Sequence, residues 1–205
     1  MKLLAKTISS VLHPLLMPTY IFAFVFFVIP ELVAPIRSDA FVSLLSLVFI
    51  STFLIPVLVV LILVKMEFVS EINIDNQKDR ILPHMFSSLI YVAVTWLFYN
   101  KLAGIPFMFV LIASISFCMV AVTFINLFWK ISAHSTAIGG LFAFIVFYYL
   151  ANSSLQSFCL IVMVLLISGC VMASRLFLGI HTLAQVCAGF VLGTIVGMLG
   201  LSYVL

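Results

Sequence analysis

The chain has 205 residues, of which 66% are hydrophobic and 7% charged, against about 25% charged in a soluble domain. So few charges cannot clothe a water-soluble surface, and the length fits one integral membrane domain over residues 1–205. The net charge of +3 comes without any basic run, which excludes a nucleic-acid-binding face and leaves Lys2 and Lys6 too few for a polybasic lipid-binding arm.

A spanning helix needs about 20 predominantly apolar residues. Candidate segments lie at 15–35, 41–64, 84–100, 105–128, 136–151, 156–173 and 181–203. The expected fold is therefore all-α: a polytopic transmembrane bundle with six or seven spanning helices. The runs are continuously apolar rather than alternating, which favours helices over a barrel. Pro14, Pro18 and Pro30 make the first segment the least regular, and its early part is read as re-entrant or interfacial. Lysines before an apolar run mimic a signal peptide, but the run is long and has no small-x-small cleavage site, so it reads as a retained anchor. The cysteines Cys118, Cys159, Cys170 and Cys187 sit in apolar stretches without metal-ligand spacing and read as small core residues.

Charge is concentrated. Of fifteen charged side chains, nine basic and six acidic, seven fall between Lys65 and Arg80, and after Lys130 only Arg175 remains. The polar stretches at 65–83, 130–135 and 174–181 are separated by even numbers of crossings. All three are therefore expected on one membrane face, opposite Arg37, Asp39, Lys101 and Asn152.

Each stretch supplies chemistry. His181 and Gln185 are four residues apart and share a helix face. Gly189, Gly193 and Gly197 continue that spacing, a ridge that lets another helix approach closely. Ser174 and Arg175 precede them; an isolated Arg at a helix end would merely snorkel to the interface. In Lys130-Ile131-Ser132-Ala133-His134-Ser135, Ser132 or Ser135 is positioned to cap a helix, and free amides at a helix start bind anions. His134 beside them has the chemistry of a proton donor. Lys78 and Arg80 suit phosphate oxygens, Arg as a fork, or else form a solvated juxtamembrane loop. Together these groups suit metal-free phosphoryl transfer, one His attacking phosphorus and the other protonating the leaving oxygen. Glu67, Glu71 and Asp75 lack matching ligands elsewhere, so no metal or other cofactor is expected.

Ser174-Arg175, five residues, His181, three residues, Gln185 resembles the third motif of the type 2 phosphatidic acid phosphatase superfamily, which ends in Asp. Ile131-Ser132-Ala133-His134 is similar to its Pro-Ser-Gly-His second motif, and Lys78, Arg80 and Pro83 give the residue types of its first motif with different spacing. The resemblance covers residues 78–185 in the right motif order. It implies that His181 is the nucleophile that becomes phosphorylated and that His134 protonates the leaving oxygen and later activates water. It also implies that Ser132, Ser174, Arg175, Lys78 and Arg80 hold phosphate; Lys130 joins them by its position two residues before Ser132. Gln185 replaces the carboxylate that would orient His181 and balance its charge. A Gln carbonyl still fixes the tautomer but brings no charge.

The function so implied is hydrolysis of a lipid phosphate or diphosphate, of the phosphatidic acid, phosphatidylglycerophosphate or polyprenyl diphosphate type. The partners are that lipid and the bilayer; no nucleic acid is expected, and oligomeric state is left open. The alternative is a weakly active or inactive relative that binds or transports an anionic lipid. Localisation is expected in a bacterial inner membrane. Lys2, Lys6 and Lys65 would put the site face in the cytoplasm by the positive-inside rule, whereas the resemblance implies the periplasm.

Overall fold

The structure is a computed structural model and describes residues 1–69, 77–102 and 104–204; Glu71 and Asp75 lie outside them. The described residues are helical, with no strand among them. Helix α1 is Lys2–Val11 and α2 is Met17–Val28. Single 3₁₀ turns at Pro30–Val33 and Ser38–Ala40 lead into α3 (Phe41–Phe49), a π turn (Ile50–Leu54) and α4 (Ile55–Lys65). After a 3₁₀ turn at Lys78–Arg80 come α5 (Ile81–Lys101), α6 (Pro106–Asn126), α7 (Ala133–Ala151), α8 (Leu155–Phe177) and α9 (Leu183–Leu201).

Six stretches are long and apolar enough to cross a bilayer: Ser38–Lys65, Lys78–Lys101, Pro106–Asn126, Ala133–Ala151, Leu155–Phe177 and Leu183–Leu201. The expected first segment is the exception. Its apolar helix, α2, has 12 residues and is about 18 Å long, short of a hydrocarbon core of about 30 Å. The irregular part falls before it, where α1 and α2 are separated around Pro14.

Local chemistry sets the elements. Pro56 has no N–H to give Thr52, four residues earlier. The π turn ends just before it, and the Tyr91 hydroxyl donates to the freed Thr52 carbonyl at 3.0 Å. A backbone acceptor in the apolar interior is thereby satisfied across helices. Ser132 caps α7 through the Ser135 N–H. Ser154 with Ser157, and Thr182 with Gln185, form reciprocal capping boxes at α8 and α9. Gly179 ends α8 at φ 68°, a left-handed position that glycine adopts without a Cβ clash, and the Ile180 N–H returns to the Arg175 carbonyl at 3.3 Å.

The glycine ridge on α9 works as its spacing suggests. A Cβ at Gly189 would lie 2.6 Å from the Ser132 carbonyl oxygen, one at Gly193 would strike the Thr136 carbonyl, and one at Gly197 would reach the Ala143 Cβ at 2.6 Å. Rising numbers on one helix meet rising numbers on the other, so α7 and α9 run parallel, backbone against backbone. Their N-termini therefore open on the same face. The main aromatic core, with Phe22, Phe26, Phe98, Phe107 and Phe144, fills the half of the bundle away from those N-termini. One expectation is corrected. Cys118 is partly buried, but Cys159, Cys170 and Cys187 are exposed on the outer surface, where a lipid environment accepts a small apolar side chain as readily as a core does.

Candidate active site

The three polar stretches meet. Arg80 starts α5, Ser132 caps α7, Thr182 caps α9 and Arg175 lies in the last turn of α8. Three helix N-termini thus face one end of the bundle, where their unpaired amides favour an anion.

His181 sits in the turn between α8 and α9 and is buried. Its Nδ1 lies 3.1 Å from the Gln185 Oε1, which also accepts the Thr182 N–H at 3.1 Å. The Thr182 N–H can only donate, which identifies that atom as the amide oxygen, so Nδ1 carries the proton and Nε2 the lone pair. Nε2 faces the Arg80 Nη1 at 3.4 Å, and arginine can only donate. Gln185, the partner of Thr182 in the α9 capping box, thus also sets the tautomer of His181. Burial, then the Arg80 guanidinium, push the His181 pKa down to about 4, with Arg175 and Lys130 adding to the shift and the Gln185 bond opposing it. The ring is neutral at pH 7.

Arg80 is buried too. A two-point clamp orients the turn that carries it: the Gln77 amide donates to the Asn126 carbonyl at 2.8 Å, and the Asn126 amide donates to the Gln77 carbonyl at 3.2 Å. Lys78, in the same turn, is exposed at the rim, and Lys130 is half-buried with its charge acting on His181. The Ser132 hydroxyl is fully buried in the α7 cap, taking the Ser135 N–H at 3.3 Å and its hydroxyl at 2.9 Å.

His134, in the first turn of α7, points its Nε2 at the Ser9 carbonyl at 3.1 Å. A carbonyl only accepts, so this nitrogen bears a proton and Nδ1 remains for exchange. The His13 ring stands edge-on to it, centroids 5.5 Å apart. The Ser174 hydroxyl donates to the Val171 carbonyl at 2.7 Å and meets the Ser9 hydroxyl at 3.1 Å, so it ties α1 to α8. Arg175 is buried and within electrostatic reach of His13, His134 and His181.

Three participants were not singled out in the sequence: Ser9, His13 and His84. With Arg80, His134 and Arg175 they line one cavity of about 760 Å³. The His84 Nδ1 is buried there with no hydrogen-bond partner among the described residues. Burial and the nearby Arg175 lower the His13 pKa to about 4. For the two histidines rarity was a signal: the chain has only four histidines, and all four gather at this end; Ser9 had none. Among the described residues, no group of three or more His, Cys, Asp or Glu is placed to hold a metal ion.

No curated protein and no solved structure matches the chain. Residues 124–205 match the family model of the PAP2 superfamily. That stretch carries Ser132, His134, Ser174, Arg175, His181 and Gln185, whereas Lys78 and Arg80 lie before it. The match makes this stretch, less than half of the chain, similar to this superfamily, the type 2 phosphatidic acid phosphatases.

Proposed function

We propose that the protein hydrolyses a lipid phosphate or diphosphate through a phosphohistidine at His181. The observation that carries this reading is the held imidazole, with Nδ1–H on Gln185 and the Nε2 lone pair turned to Arg80 at 3.4 Å, a guanidinium that a phosphate would draw to its own oxygens. The Nε2–P bond forms as the bond from phosphorus to the lipid oxygen breaks. Arg80 and Arg175 neutralise the equatorial oxygens, and the amides of the α7 and α9 starts add their partial charge. With the lipid phosphate bound, His134 carries a second proton at Nδ1 and gives it to the leaving oxygen, while its Nε2–H stays on the Ser9 carbonyl. In the second step it takes a proton from water, which attacks phosphorus and releases phosphate and free His181. Lys78, Lys130 and Ser132 complete the anion site, and Ser174 holds α1 over it. The lipid stays in the bilayer region with its headgroup at this face, which is periplasmic in a bacterial inner membrane.

Purified protein offered phosphatidic acid, phosphatidylglycerophosphate and polyprenyl diphosphate will release phosphate from at least one. Release equal to that of His181→Ala on all three would end the enzyme reading.

A second reading, lipid-phosphate binding without turnover, draws on two observations. Gln185 brings no negative charge to His181, and the Ser9 carbonyl occupies the Nε2 proton of His134. It predicts tight binding and no release, even with Gln185→Asp.

A further inference from the structure

The cavity behind the polar cluster continues into the bundle. Its wall runs from Arg80 to Tyr91 along α5 and from Val122 to Leu111 along α6. Eleven steps of about 1.5 Å give about 16 Å on either helix, roughly half of a 30 Å hydrocarbon core. The charged and imidazole groups are confined to the outer end. The deep walls are mainly apolar, with Leu111, Ile115 and Phe144, and the hydroxyls of Tyr91 and Ser114 are spent on the Thr52 and Val110 carbonyls.

Gly140 is the second observation. It lies in this wall, in the interior of α7, six residues after His134. Its neighbour Gly139 is required by the backbone of α9, since a Cβ there would strike the Phe190 carbonyl. A Cβ at Gly140 would meet nothing within 4 Å. Glycine in a helix interior is destabilising relative to alanine and suits places where something must approach closely. Here α9 packs on the Gly140 backbone through Gly193 and Gly197, but the direction a Gly140 side chain would take is empty, and Gly140 lines the cavity.

We propose that the cavity is an internal tail site that takes one flexible apolar chain of the lipid phosphate. The phosphate lies at Arg80 and Arg175, and the chain passes Gly140 toward Leu111 and Phe144. At about 760 Å³ the cavity is within the range of small-molecule binding pockets, with room for a phosphate and one alkyl chain. The proposal rests on the lipid-phosphate reading for the identity of the headgroup.

Binding of butylphosphonate and dodecylphosphonate, which cannot be hydrolysed at the P–C bond, tests it without relying on turnover. The wild type and variants are compared in nanodiscs of one composition, so partition of the probe into lipid cancels. Gly140→Leu fills the wall from α7, and Cys118→Phe fills it from α6. Each is expected to weaken dodecylphosphonate about tenfold or more, as an overpacked site does, and to leave butylphosphonate within about twofold. Gly169→Leu adds the same bulk on the exposed face of α8, where a Cβ also meets nothing within 4 Å, and is expected to change neither. Should Gly140→Leu unfold, Cys118→Phe decides. Wild-type dodecylphosphonate affinity in the filled variants overturns the tail site while the headgroup reading stands, as does equal loss of both probes in variants with normal thermal unfolding. A wild type that binds neither probe overturns the headgroup reading and the tail site with it.

Discussion

Replacing Gln185 by Glu changes one thing: the side chain keeps its length, so the oxygen 3.1 Å from the His181 Nδ1 stays in place and becomes anionic. Unit charges about 4 Å apart attract by about 4 kcal/mol at an effective dielectric of about 20. Gln185 is half-buried, so solvent screening reduces this to about 1.4–3 kcal/mol, or about one to two pKa units. The His181 pKa, held at about 4 by burial and Arg80, should rise to between about 5 and 6. The same charge stabilises positive charge on the phosphorylated ring, so turnover at pH 7 should rise about tenfold to a hundredfold. The acid limb of kcat/KM, set by loss of the neutral nucleophile, should move up in pH with the pKa. Histidine-ring NMR is the direct assay, because only four imidazoles are present. A wild-type His181 that titrates near 6.5, or a Glu variant whose His181 does not move, would refute the reasoning.

Three further outcomes are expected. Gly193→Ala drives a methyl group into the Thr136 carbonyl and should destabilise the protein by about 1–3 kcal/mol, read as a lower thermal midpoint, with Gly140→Ala showing no such loss. Asn126→Ala removes the half of the clamp that the Asn126 side chain donates to the Gln77 carbonyl and keeps the backbone carbonyl that takes the Gln77 amide; at about 1 kcal/mol for one hydrogen bond, KM for the lipid phosphate should rise about fivefold, with kcat changing less. His13 and His181 are neutral in the fold down to about pH 4, but in the unfolded chain they take protons below about 6.5. The unfolded chain therefore binds more protons in that window, and stability should fall as pH drops from about 6.5 to about 4. His13→Gln should flatten that dependence.

The parity of apolar segments was enough to bring the described residues 77–83 together with the stretches at 130–135 and 174–181, because a helix that crosses must return. The four-residue spacing of Gly189, Gly193 and Gly197 was enough to foresee the close helix contact, since only a missing Cβ permits it. The role of α1 was not legible. It has only ten residues, and what it brings to the site is a Ser9 backbone carbonyl and a His13 ring, neither of which has a sequence pattern. The partner of the His181 Nε2 was legible only as a residue type: Arg80 was among the candidates, but its spacing resembled no motif closely, and the clamp between Gln77 and Asn126 that aims it joins residues 49 apart. The outward-facing cysteines were misjudged because apolar character looks the same on a lipid-facing surface and in a core. The cavity had one trace in the chain, a second glycine at Gly140 beside the one that packing needs.

The most direct measurement is to trap the intermediate. Protein mixed briefly with a lipid carrying radiolabelled phosphate, quenched in alkali and digested, should carry acid-labile label on the peptide containing His181 and none in His181→Ala. Phosphate release without label on that peptide, or label on another residue, would contradict the account.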